Sequence, residues 1–216
     1  KINPFVVLLG KGEHEITSSW TPTGGDFHRQ TTLRLTRSNT TFVGTGIDTT
    51  TILGGFGIEN VENITFKNMT VTNTSQYGSG IYMLNAKVEL MDVVLKGCTQ
   101  NALFISYSAT ASTVVATRCE FANSSDGAVV KGSLTSATFN NCVFHDNSDD
   151  GVFVSESTIH LHGDATAIHS NGDNGIFATR TGKVIIHLPS HHNTFFNNED
   201  EDRFTELGGT ITNVED

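Results

Sequence analysis

Asp126-Gly-Ala-Val-Val130, Asp150-Gly-Val-Phe-Val154 and Asn174-Gly-Ile-Phe-Ala178 repeat one pattern: a turn residue, a glycine and a short apolar strand. The three glycines are 24 residues apart. The pattern extends backward to Gly80-Ile-Tyr-Met83 and, with Asn in place of Gly, to Asn101-Ala-Leu-Phe104. A second strand-like run follows each copy: Lys87–Leu90, Thr113–Ala116, Ser136–Phe139, Thr158–Leu161 and Lys183–Ile186. A third run (Met69–Val71, Val93–Leu95, Cys119–Phe121, Cys142–Phe144) tends to end at an asparagine: Asn73, Asn123, Asn147, Asn171 or Asn197. Three short strands per period of about 24 residues, with no sustained helical period, are the mark of a parallel β-helix in which each repeat is one rung. The expected fold is all-β, one chain wound into seven to nine rungs of three short strands each. Alternation turns Ile81, Met83, Val152 and Val154 inward and Tyr82 and Phe153 outward. Stacked Asn suits an amide ladder and a left-handed backbone.

Composition agrees. The chain has 216 residues, with 21 Gly and only 3 Pro. Its length suits one domain, 1–216, divided into N-terminal coils (1–57), regular rungs (58–198) and an acidic loop with a last strand (199–216). A balance of 13 basic against 23 acidic residues, net -10, argues against nucleic acid and against an anionic membrane surface. No apolar run approaches the roughly 18 residues of a spanning helix. No signal peptide precedes the first strand-like run, Phe5–Leu9, so any leader would lie upstream of residue 1. No phosphate-binding loop, dinucleotide fingerprint, Gly-x-Ser-x-Gly elbow or His-Glu-x-x-His helix occurs.

Three constellations carry chemistry. Aspartates precede the repeated glycines, so Asp126, Asp149 and Asp150 are the candidate acid–base residues. Like charges stacked this closely raise one another's pKa or recruit a cation, and Asp149, Asp150 and Asp173 are the candidate Ca2+ ligands. No motif requires a cofactor. The alternative reading of Asp-Gly and Asn-Gly is turn chemistry. Tyr82, Leu103, Val129, Phe153 and Phe177, one per rung, form an outward apolar stripe, the candidate binding surface for sugar rings or another chain. Seven of the nine histidines follow position 144. His160, His162 and His187 are expected to face outward on adjacent rungs as a candidate metal set, His145 and His169 to stack, and His191 and His192 to follow in a loop. Cys119 and Cys142 read as core residues at one rung position, close enough for a disulfide, and Cys98 as a turn residue. Sequons at Asn39, Asn63, Asn68, Asn73 and Asn123 are compatible with secretion.

These repeats resemble the right-handed parallel β-helix superfamily, which includes pectate lyases, polygalacturonases, mannuronan epimerases and many phage tailspikes. The N-terminal segments Gly12–Ile16, Thr31–Leu35, Thr41–Gly46 and Asp48–Gly54 resemble its first coils. The resemblance implies a right-handed coil over nearly the whole chain. Asp149-Asp150 matches the paired Asp of polygalacturonases, and Ser124-Ser-Asp126 matches their preceding segment only in its Asp. Their Gly-His-Gly and Arg-Ile-Lys motifs have no counterpart. The leading expectation is therefore a secreted or surface-exposed protein that binds polysaccharide or a protein partner without catalysis, alone, as a homo-oligomer or within a larger assembly. The competing expectation is a polysaccharide hydrolase, lyase or epimerase.

Overall fold

The computed structural model describes residues 3–24, 27–188 and 194–215. No helix occurs among them. One sheet has eight parallel strands: β1 (Thr32–Leu35), β2 (Gly55–Glu59), β3 (Ile81–Leu84), β4 (Leu103–Ile105), β5 (Ala128–Lys131), β6 (Val152–Ser155), β7 (Ile176–Thr179) and β8 (Arg203–Thr205). The other sheet has fifteen strands in two limbs, which meet where the long strands Ile64–Thr72 and Lys87–Lys96 run through both. Every strand pairing is parallel and each step along a sheet is one turn of the coil, so the fold is a parallel β-solenoid of about seven turns.

The inward columns make one continuous core. Phe139 and Phe144 of one rung pack with Phe121 of the rung before, with ring centroids 4.8–5.5 Å apart. Cys119 and Cys142 stack in this core as free thiols, and Cys98 is also buried. The repeated glycine has a steric cause. A Cβ on Gly127 would lie 2.5 Å from the Gly151 carbonyl oxygen, and one on Gly151 would lie 2.7 Å from that of Gly175.

The asparagine ladder forms, one residue away from some of its expected members. Asn147 Nδ2 donates to Asn171 Oδ1 at 2.9 Å, and Asn171 Nδ2 to Asn198 Oδ1 at 2.8 Å. Ser124 Oγ holds the same place one rung earlier and accepts from the Cys98 amide. Asn123 and Asn197 instead occupy the preceding column, with φ of 50° and 56°. Side-chain bonding and left-handed backbone are thus divided between two adjacent positions.

The acidic segment 199–206 was expected to interrupt the repeat. Its second half is strand β8, which pairs with β7 and adds a rung (Phe177 beside Phe204).

Candidate functional site

One column on the outer face of the eight-stranded sheet is mostly aromatic. Register aligns Gly57, Tyr82, Phe104, Val129, Phe153, Phe177 and Phe204. Tyr82 and Phe104 stack at 5.1 Å, and Phe153 meets Phe177 edge-on at 5.2 Å. Leu103, expected in this stripe, is instead fully buried in the core. The rung entry is Ala102, whose amide donates to the Asp126 carbonyl, and Leu103 bonds to Gly127 in turn. Aligning Asn101 with the glycines shifts this rung by one residue, which exchanges inward and outward faces. Phe104 is the residue in the column.

One end of the column is covered. The Trp20 indole meets the Tyr82 ring at 5.4 Å and 73°, and the Arg29 guanidinium lies 4.3 Å over it. A Cβ on Gly57 would run into the Trp20 ring, so glycine is needed for this lid to seat. Arg29 is tied down by Nη1 donating to the Tyr77 carbonyl at 2.7 Å. Beyond the lid, Phe104, Phe153 and Phe177 are half-buried and Val129 lies between the first two.

The acids stand beside this open stretch, in two columns. Asp126, Asp150 and Asn174 form one, and Ser125, Asp149, Asp173 and Asp200 the next. Their carboxylates bond from rung to rung. Asn101 Nδ2 donates to Asp126 Oδ2 at 2.6 Å, and the Asn174 amide and Nδ2 both donate to Asp150 Oδ1, at 3.1 and 3.0 Å. Ser125 Oγ donates to Asp149 Oδ2 at 2.7 Å. Burial, and then the charges of Asp150 and Asp149, push Asp126 up to about 7. Burial also pushes Asp150 up to about 6, against the hydrogen bonds from Asn174. Asp173, on the rim, is also raised, by desolvation and then by Asp149, Asp200 and Glu199.

A cleft of about 420 Å³ joins these parts, with Phe104, Val129 and Phe153 as floor, Asn101, Asp126, Asp149 and Asp150 along one side, and Lys131 on the other. The Lys131 ammonium lies 5.6 Å from the Phe104 centroid and 5.0 Å from that of Phe153. A second hollow of about 210 Å³ shares Lys131 and Phe153 and continues over Ser155, Phe177 and Arg180. Ser155 Oγ is buried there with no hydrogen-bond partner. Lys131 and Ser155 were missed from sequence, although each lies two residues beyond a member of the stripe and so on the same face.

Asp149, Asp150 and Asp173 do not gather as a cation cage. Among the described residues, the only His, Cys, Asp or Glu set with ligand atoms mutually within 4.8 Å is His160, His162 and His187. His145 and His169 do stack, at 5.2 Å, while His191 and His192 lie outside the described residues. Of the sequons, Asn73 is buried beneath its turn, where no glycan fits.

An acidic solenoid with a partly lidded aromatic face is the class defined so far. Residues 33–214 match the family described as the right-handed β-helix region, and the chain belongs to that family. Pectate lyase Pel9A superposes with a TM-score of 0.57 at 13% identity, over 98% of this chain and 69% of that one. Pectate lyase Bsp165PelA from Bacillus sp. N165, in complex with trigalacturonate, gives 0.59 at 11% identity, over 96% and 75%. Tailspike protein 2 of Escherichia coli O157:H7 bacteriophage CAB120 gives 0.54 at 11% identity, over 98% and 35%. At these identities the likeness is one of fold. No curated protein sequence matches the chain. No helix among the described residues is long and apolar enough to cross a membrane.

Proposed function

We propose that this protein binds a polysaccharide along the outer face of its eight-stranded sheet, with the cleft between Asp126 and Lys131 as the principal sugar site. The observation that carries this reading is the pairing of a half-exposed aromatic floor with polar groups of both signs in one hollow. A sugar ring has an apolar face that suits Phe104 and Phe153, and an edge of hydroxyls that suits carboxylates, amides and an ammonium. A ligand of this kind goes with a surface or extracellular location. Affinity electrophoresis against neutral and acidic polysaccharides tests the reading. Retardation by at least one polysaccharide, abolished by Lys131→Ala with Phe153→Ala, is the expected result. Migration unaffected by every polymer overturns it.

One observation favours a second reading, a carbohydrate-active enzyme. Asp126, held near 7, is about half protonated at neutral pH beside Asp150, which is largely ionised, and such a pair can act as acid and base. Product formation from a bound polysaccharide, lost in Asp126→Asn while binding persists, would establish it. Binding without product keeps the first reading alone.

A further inference from the structure

We infer that His160, His162 and His187 form a binding site for a borderline transition-metal cation, of which Zn2+ is the fitting probe. The site lies on the fifteen-stranded sheet, away from the cleft, and is independent of the glycan reading.

The sequence builds it in two steps. His160 and His162 are two residues apart on strand Thr158–His162, so both rings leave the same face. The strand on the next rung, Lys183–Leu188, pairs in parallel with Leu161 opposite Ile186, which brings His187 level with His162. The result is three imidazoles on two backbone segments fixed by the sheet.

The ring nitrogens already converge. His160 Nδ1 and His187 Nε2 are 2.9 Å apart, and one ligand nitrogen from each of the three rings lies within 4.8 Å of the others. Zinc binds imidazole nitrogen at about 2.0–2.1 Å, so tetrahedral ligands sit roughly 3.4 Å from one another. The contact between His160 and His187 is itself instructive, because one nitrogen donates a proton to the other's lone pair. A shift of tautomer on the donor ring frees both lone pairs for a cation placed between them.

Donor chemistry sets the selectivity. Three neutral imidazoles without a carboxylate suit Zn2+, Cu2+ or Ni2+ and are poor ligands for Ca2+ or Mg2+. Three protein ligands leave a fourth position for water or for a donor from another molecule.

The test is calorimetric titration of ZnCl2 into chelator-stripped, tag-free protein, with the visible spectrum of the Co2+ form as a second readout. We expect one Zn2+ per chain, no competition by Ca2+, and cobalt bands typical of tetrahedral nitrogen ligands. Each of His160→Asn and His162→Gln should weaken binding at least as much as the roughly 10–100-fold cost of losing an outer-shell partner. These conservative variants preserve the strand, which circular dichroism checks. A His191→Ala/His192→Ala variant should bind normally. Absence of saturable binding, binding unchanged in both single variants, or binding lost in His191→Ala/His192→Ala would each overturn the assignment.

Discussion

Asn147 and Asn171, a rung apart, are joined by two hydrogen bonds: the Asn147 side chain donates to Asn171 Oδ1, and so does the Asn147 backbone amide. Both residues are 2% exposed, so water cannot replace either bond. Asn171→Leu should therefore leave the Asn147 backbone amide and one side-chain N–H of Asn147 buried and unsatisfied, at about 2–4 kcal/mol. Urea denaturation followed by circular dichroism checks the loss. The transition should also broaden, since a break between rungs uncouples neighbouring repeats. Asn123→Leu, on the exposed column beside the ladder, should cost less than half as much.

Leu103 and Phe104 separate stability from function at adjacent positions. Leu103→Ala empties a core site and should cost about 2–5 kcal/mol while leaving polysaccharide binding intact. Phe104→Ala should cost little stability and weaken binding about tenfold, the 1.4 kcal/mol of one lost stacking contact. Thermal melts paired with affinity electrophoresis distinguish the two.

That pair also marks how far the sequence could be read. Gly127, Gly151 and Gly175 announce their rungs because at each a carbonyl oxygen from the next rung lies within 2.7 Å of where a Cβ would sit. Ala102 takes the same position without the signal, so Asn101 looked like the rung entry and Leu103 like a surface residue. The aspartates were legible as a ladder because Asp-Gly opens two successive rungs, at Asp126 and Asp150. Their partners Asn101 and Asn174 were not, since an amide in a turn reads as turn chemistry whether or not it holds a carboxylate. Trp20 was illegible for another reason. It reaches Tyr82 across 62 positions from a segment with no repeat, and no local pattern encodes that contact.

Asp126 and Asp150 give stability a pH dependence with a definite sign. Their folded pKa values, about 7 and about 6, lie above the unfolded value of roughly 4. The folded state therefore holds more protons between pH 4 and 7. The stability these groups contribute is complete below pH 4 and is lost as pH rises through 6 and 7. Asp126→Asn should remove much of that slope and raise stability at pH 8 by about 1–2 kcal/mol. Melting temperatures of both proteins from pH 4 to 8 check it, and parallel curves would contradict it.

Trp20 is the chain's single tryptophan, and it is 5% exposed against Tyr82. Its fluorescence therefore reports on the lid alone. The lid is one segment held by Arg29 and a few ring contacts, so it should release before the solenoid unfolds. Arg29→Ala should shift the Trp20 emission to the red at denaturant concentrations where far-ultraviolet circular dichroism is unchanged.

The central claim is that the open aromatic column beyond the lid holds a polysaccharide. Its most direct test is equilibrium binding of the best-retarded polysaccharide to Phe104→Ala/Phe153→Ala, which leaves the core intact. A loss of about 100-fold, two stacking contacts at 1.4 kcal/mol each, is the predicted result. Affinity equal to that of the unaltered protein would contradict the account.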